Sequence, residues 1–176
     1  AEKFHDIYNA HLVNTVGNCA SRVTAMIGKY FDGALPTEVH GGERCTVEGF
    51  DWVSKCRDAV SGWSTFIGQF EIEKSTEIAM NLIRDVDLFI NETAPFKLAK
   101  EESKQGELGA ILYQCIETLR IASILLSPII PHKMEEFHRA IGYSRNSSFE
   151  ESAQWGGLKA GTTIEKVALF PRVDFG

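Results

Sequence analysis

Residues 108–126 read LGAILYQCIETLRIASILL, and this stretch decides which kind of fold the chain can adopt. Its apolar residues recur at intervals of three and four, which is the period of one side of an α-helix. They are Leu108, Ile111, Leu112, Cys115, Leu119, Ala122, Leu125 and Leu126. The pattern predicts a long helix that ends at Ser127-Pro128, because proline interrupts helical hydrogen bonding.

The same period recurs on both sides of this helix. Before it, apolar side chains at helical spacing predict helices over 4–31, 52–67 and 78–90. The third of these should stop before Asn91, because Pro95 disfavours the α conformation in the residue that precedes it. After it, Pro131 is suited to the first turn of a short helix that ends at Gly142.

Three stretches lack the helical period. Residues 33–49 are predicted to form a loop, residues 96–106 a polar connector, and residues 144–154 a polar loop. None of the chain alternates for long enough to build a β-sheet. The sequence therefore predicts an all-α fold, an antiparallel bundle of about five helices over residues 1–154. Residues 155–176 are predicted to form an irregular tail with short apolar clusters.

Composition and charge limit the partners. Lys and Arg number 18 against 24 acidic residues, a net charge of −6, which disfavours a binder of duplex DNA. No uninterrupted apolar run is long enough to cross a membrane. The four cysteines have no metal or redox spacing, which is typical of a reduced cytoplasmic protein. The chain opens with Ala1-Glu2-Lys3, which suggests a piece of a longer protein.

Motifs that carry catalysis are not evident. The sequence contains no phosphate-binding glycine loop and no nucleophile elbow, so no catalytic residue is predicted. Glu135 and His138 have the Glu-x-x-His spacing of carboxylate-bridged iron sites, but such sites need a second copy. A solvated helix surface is the better interpretation of this pair, and no metal site is predicted.

A polar stripe on the first helix is the first candidate site. Asn14, Asn18 and Arg22 succeed each other at intervals of four and therefore share one side of the helix. Amide and guanidinium groups can hydrogen-bond the edges of unpaired bases. The alternative is an ordinary solvated surface without a ligand.

The second candidate is Pro95-Phe96, which is followed by Lys97, Lys100 and Lys104. A flat ring with cations nearby can stack beneath an unpaired base. The alternative is that Phe96 plugs the end of the bundle, in which case the ring has a purely structural role.

Both candidates lie in segments that resemble the C-terminal anticodon-binding domain of methionyl-tRNA synthetase, a class I aminoacyl-tRNA synthetase. The resemblance covers nearly the whole chain and rests on the order and spacing of several motifs. These are YNAHLVN at 8–14, GNCASR at 17–22, FDG at 31–33, NETAPFKLAK at 91–100, LSPIIP at 126–131 and LFPRVD at 169–174.

The resemblance implies a helical bundle that holds the CAU anticodon. By this likeness Asn18 and Arg22 contact bases, and Pro95 and Phe96 lie beside the first anticodon base. Asn14, on the same stripe as Asn18, and Lys97, next to Phe96, are expected as flanking contacts from their positions alone. The family carries Trp where this chain has Phe96, so the stacking surface is kept and the indole N–H is lost.

The resemblance also implies what lies elsewhere. The family's catalytic signatures do not occur here, so ATP and methionine are expected to bind an absent catalytic domain, and no cofactor is expected in this chain. The expected partners are the anticodon loop of tRNA(Met) and that domain. The tail over 155–176 is expected to pack back on the bundle or toward that domain. Two alternatives stay open: the equivalent domain of a leucyl, isoleucyl, valyl or cysteinyl enzyme, and a helical scaffold that binds only proteins.

Overall fold

The computed structural model describes residues 12–36 and 50–170, and the described part is all-α, as predicted. A π-helical turn at Leu12–Gly17 leads into the first α-helix. The α-helices are α1 (Asn18–Phe31), α2 (Trp52–Gly68), α3 (Ile72–Thr93), α4 (Pro95–Leu98), α5 (Gln105–Leu126), α6 (Pro131–Ala140) and α7 (Phe149–Ser152). Five of them are long, and these match the five predicted helices. The predicted helix over 4–11 and most of the predicted loop over 33–49 lie outside the described residues.

Helix α5 forms the centre of the bundle. Every residue from Ile111 to Leu126 is buried, so the helix has no solvated side. The stretch Glu102–Leu126 is long and apolar enough to cross a membrane by composition alone, but most of its apolar part is covered by the other helices. Such all-round burial is expected of a core helix in a compact bundle.

Neighbouring helices along the chain run in opposite directions. Trp52 at the start of α2 packs edge to face on Phe89 near the end of α3, with ring centroids 5.3 Å apart. Helix α1 runs parallel to α3, because Cys19 lies beside Ile83 whereas Arg22 lies beside Asp87. The bundle thus has two ends, which we call the Ala94 end and the Phe70 end after the turns that follow α3 and α2.

The junction after α3 differs from the prediction. Helix α3 continues through Asn91 to Thr93, three residues beyond the expected stop. Ala94 then adopts a left-handed conformation with φ of 48°, and Pro95 begins the one-turn helix α4. Proline therefore breaks the helix as expected, but only at the residue directly before it. The connector also holds a 3₁₀ turn at Glu102–Lys104.

Residues 155–170 pack against the bundle. Leu158, Ile164, Val167 and Leu169 are buried in the main core. The Ile164 amide donates to the Gly33 carbonyl at 2.7 Å, and the Leu35 amide donates to the Thr162 carbonyl at 2.8 Å. The apolar clusters of this stretch are thus covered within the chain itself.

A buried ion pair anchors the segment before the tail. Arg120 binds Glu117 through two hydrogen bonds of 3.0 and 2.6 Å, and both side chains are fully buried. The carboxylate also accepts from the amides of Gly156, Gly157 and Leu158. Arg120 in turn donates to the carbonyls of Ser152 and Gln154. The segment 152–158 is therefore held on α5 by charge-assisted hydrogen bonds.

The predicted polar loop over 144–154 is only partly a loop. It contains α7, and the ring of Phe149 stacks on Trp63 with centroids 4.6 Å apart. The surface interpretation of the Glu135/His138 pair holds for Glu135 but not for His138, which turns toward α5. Its Nε2 lies 2.7 Å from Ser123 Oγ. Burial, together with the charges of Arg120 and Arg145, lowers the pKa of His138 to about 4.

Candidate nucleic-acid interface

The stripe on the first helix faces solvent. Asn14, Asn18 and Arg22 are exposed, whereas Val16, Cys19 and Val23 are buried between them. This division follows from the apolar period, which turns one side of α1 toward α3 and α5. Asn14 lies in the π-helical turn, a departure from the single α-helix that was predicted. π-helical turns inside helices are frequent at functional sites.

Two acceptors on α3 hold the guanidinium of Arg22. Its Nη2 donates to Asn91 Oδ1 at 3.3 Å, and its Nη1 lies 3.9 Å from Asp87 Oδ1. The side chain remains 41% exposed, so this ion pair stabilises the fold by little. Guanidinium has five N–H groups, and those directed away from α3 are free to meet a ligand.

Asp87 is a half-buried carboxyl beneath Arg22. Burial raises its pKa, while the nearby thiol of Cys19 and the charge of Arg22 act in the opposite direction. The thiol is itself buried, and this raises the pKa of Cys19 well above its ordinary value. Cys19 is therefore a neutral thiol, and Asp87 is the acidic group that faces Arg22.

Phe96 projects from the Ala94 end. The left-handed Ala94 redirects the chain so that Pro95 is buried while the ring of Phe96 is 47% exposed. Lys97 is exposed beside it, and Lys100 and Lys104 are exposed further along the connector. With about half of its surface exposed, the ring leaves room for a base to stack on it.

The fold brings the two candidates to the same region. Arg22 contacts Asn91, and Asn91 precedes Phe96 by five residues, which is a chain reach of at most about 18 Å. Because α1 runs parallel to α3, the polar stripe extends toward the Ala94 end of the bundle. Arg22 is the residue of the stripe that lies nearest to that end. The region can therefore present an amide, a guanidinium and a ring to one short stretch of single-stranded nucleic acid.

Comparison with known proteins relates the chain to one family with such bundles. No family model matches the chain. The methionine–tRNA ligase of Caldanaerobacter subterraneus subsp. tengcongensis is 33% identical over 167 residues, which cover 94% of this chain. The ligase of Streptomyces coelicolor is 34% identical over an alignment of 183 positions, gaps included, that covers 98% of this chain. The chain is a homologue of one segment of methionyl-tRNA synthetases.

That segment is a minor part of the relatives. The chain spans 26% of the first ligase and 33% of the second. Both relatives carry the name of the methionine enzyme, which favours the methionyl-tRNA synthetase family over the leucyl, isoleucyl, valyl and cysteinyl alternatives.

Solved methionyl-tRNA synthetase structures share the fold. The free enzyme of Mycobacterium tuberculosis superimposes with a TM-score of 0.81 at 20% identity, covering 94% of this chain and 33% of that one. The same enzyme with methionyl-adenylate superimposes with a TM-score of 0.77 at 22% identity, covering 97% of this chain and 33% of that one. At this identity the likeness establishes the helical architecture alone.

Sequence reasoning missed the two α3 residues that orient Arg22. Asp87 and Asn91 are four residues apart on α3, so they share a side of that helix. That spacing was a visible signal, but the predicted end of α3 excluded Asn91 from the helix. Their role also depends on the packing of α1 against α3, which no local pattern specifies.

Proposed function

We propose that this chain is the anticodon-binding domain of a methionyl-tRNA synthetase and recognises the CAU anticodon of tRNA(Met). The catalytic domain of the same cytoplasmic enzyme would bind ATP and methionine and attach the amino acid, while this chain alone is inactive. One observation carries the proposal. Arg22 is exposed and oriented by Asn91, close along the chain to the exposed ring of Phe96.

Asn18 and Arg22 supply the sequence discrimination. The side-chain amide of Asn18 offers a donor and an acceptor, and the Arg22 fork offers parallel donors to a base edge. Asp87 and Asn91 hold the fork before the RNA arrives, which lowers the entropy lost on binding. With a net charge of −6, the domain gains little from long-range attraction and depends on such aligned contacts.

Phe96 supplies a surface for one unstacked base, and Lys97 supplies charge for a neighbouring phosphate. Stacking tolerates any base, because every base has a π surface. Phe96 is therefore expected to add affinity, while Asn18 and Arg22 add selectivity.

A titration of three anticodon stem-loops tests the proposal. The 176-residue chain is mixed with labelled CAU, GAU and GCA loops on the same stem, and binding is measured by fluorescence anisotropy. The proposal requires CAU to bind most tightly. Equal binding of all three loops would refute it, and preference for GAU or GCA would point to the isoleucyl or cysteinyl enzyme. Binding to none would favour the protein scaffold.

Replacing Arg22 with alanine is expected to weaken CAU binding by about 1 to 3 kcal/mol, because one guanidinium-to-base contact is lost. Arg22→Lys should lose most of the affinity that Arg22→Ala loses, since lysine keeps the charge but lacks the two parallel N–H donors of the guanidinium. Arg57→Ala is the matched control, because Arg57 is an exposed arginine on α2. Equal losses in the Arg22 and Arg57 variants would mean that only charge matters.

Replacing Phe96 with alanine is expected to cost about 1 to 3 kcal/mol of stem-loop affinity, with similar losses for all three loops. Phe96→Trp should retain binding, and Phe96→Leu, which keeps apolar bulk without a π surface, should not. Thermal unfolding of each variant is the control. A large drop in the melting temperature of Phe96→Ala would show that the ring is a plug.

A further inference from the structure

The turn between α2 and α3 places a phenylalanine where helices usually end in glycine. Phe70 has φ of 60°, in the left-handed region that bulky side chains rarely adopt. Its amide donates to the Ile67 carbonyl at 3.0 Å, and the Glu71 amide donates to the Phe66 carbonyl at 2.9 Å. This pair of hydrogen bonds is the Schellman motif, in which glycine avoids the steric strain that Phe70 bears.

The strained residue gains nothing from packing inside the chain. The side chain of Phe70 is 89% exposed, the largest exposure among the big apolar residues described, and Ile72 beside it is 49% exposed. The neighbouring charges are occupied, since Lys74 pairs with Glu71 and lies over the ring of Phe66. Glycine or asparagine at position 70 would relieve the strain and remove the exposed ring. Phe70 is strained and apolar, and no contact within the bundle compensates for either property. This combination points to a contact outside the bundle.

The position of the turn indicates what makes that contact. The Phe70 end is opposite the Ala94 end, so the turn is far from the candidate anticodon site. The described chain begins at Leu12, on the Phe70 side of the middle of α3, and ends at Phe170, which lies close to that middle. Leu12 lies before Cys19, which contacts the middle of α3 at Ile83. Phe170 packs against Gly17, where a Cβ would lie 3.0 Å from the ring.

We propose that the Phe70–Ile72 turn docks on the remainder of the full-length synthetase. This rests on the proposed function, in that the chain is one domain of a longer enzyme. The relatives extend well beyond the matched segment, which covers 26% and 33% of their lengths. The remainder is the body that we infer to cover the turn, at the end of the bundle away from the candidate anticodon site. The partner surface is an apolar pocket that receives the ring of Phe70 and the side chain of Ile72.

Hydrogen exchange tests the contact without tRNA. Exchange of the backbone amides of residues 69–74 is compared between the 176-residue chain and the full-length protein. We expect at least about tenfold slower exchange in the full-length protein, since docking adds a free energy of opening to these amides. Residues 53–58 at the other end of α2 serve as the internal control and should exchange alike. Equal rates for residues 69–74 in the two proteins would overturn the proposal.

Two substitutions separate docking from folding. Phe70→Gly and Phe70→Asn should leave the melting temperature of the 176-residue chain equal or higher, because both residues tolerate the left-handed conformation. In the full-length protein, both substitutions should abolish the slower amide exchange of residues 69–74 and reduce aminoacylation of tRNA(Met). Binding of the CAU stem-loop should be unchanged. Val53→Ala, an exposed apolar residue at the opposite end of α2, is the matched control.

Other occupants have distinct signatures. A dimer of the 176-residue chain that Phe70→Asn dissociates would identify a second copy as the occupant and overturn the proposal. Slow exchange that is already present in the 176-residue chain, and is lost when residues 1–11 are removed, would identify this chain's own N-terminal segment and also overturn it. If the stem-loops fail to bind but the added protection is found, the anticodon function fails while the docking contact stands.

Discussion

Replacing Arg120 with methionine is expected to lower the free energy of unfolding by about 3 to 5 kcal/mol, because the carboxylate of Glu117 stays buried without its cation. The carbonyls of Ser152 and Gln154 also lose their donors. Segment 152–158 should be held on α5 less firmly as a result, because only its amide hydrogen bonds to Glu117 remain. Urea denaturation followed by circular dichroism measures the loss, and amide exchange at Gly156 and Gly157 locates it.

The network offers an internal control. Adding Glu117→Leu to Arg120→Met removes the stranded charge, so the double variant should be less destabilised than the sum of the two single variants. Arg139→Met removes an exposed arginine from α6 and should change stability by no more than about 0.5 kcal/mol. Additive losses at positions 117 and 120 would show that the two charges do not stabilise each other.

Replacing Phe89 with alanine is expected to cost about 3 to 5 kcal/mol of unfolding free energy. Phe89 is fully buried, and its ring lies 5.1 Å from Phe50 and 5.3 Å from Trp52. The substitution leaves a cavity beneath the last turns of α3, which carry Asn91. We therefore expect weaker CAU binding even at temperatures where the variant remains folded.

The neighbouring residue supplies the control for that experiment. Leu88 is 48% exposed on the same helix, so Leu88→Ala should change stability by no more than about 0.5 kcal/mol. Thermal unfolding and stem-loop titration are measured on both variants. Unchanged RNA binding by the folded Phe89 variant would show that the end of α3 does not position Arg22.

The helices could be predicted from the sequence because their apolar period is local. Helix α5 is buried on all sides from Ile111 to Leu126, although the apolar period marked only one side of it. The end of α3 was misplaced because Asn91–Thr93 are polar residues that carry no period. The left-handed turn at Ala94 depends on Pro95, and the influence of proline on its predecessor was correctly anticipated.

The long-range contacts could not be predicted in the same way. Glu117 and Arg120 have the spacing of a surface ion pair, and their amide and carbonyl partners lie more than 30 residues away. The signal available was their place inside the apolar stretch 111–126, where a solvated pair has no room. The exposed sides of Asn18 and Arg22 followed from the local apolar period. The exposure of Phe96 did not, since its local pattern also allowed a plug. The orientation of Arg22 by Asp87 and Asn91 required the packing of two helices.

The most direct test of anticodon recognition is a nuclear magnetic resonance titration of the 176-residue chain with the CAU stem-loop. We predict that the side-chain amide of Asn18, the guanidinium of Arg22 and the ring of Phe96 shift together in proportion to bound RNA. The Phe96 ring protons should move upfield, because a base stacks on them. Resonances of Phe70 should stay in place. Shifts confined to other surfaces, with these three side chains unmoved under saturating RNA, would contradict the proposed site.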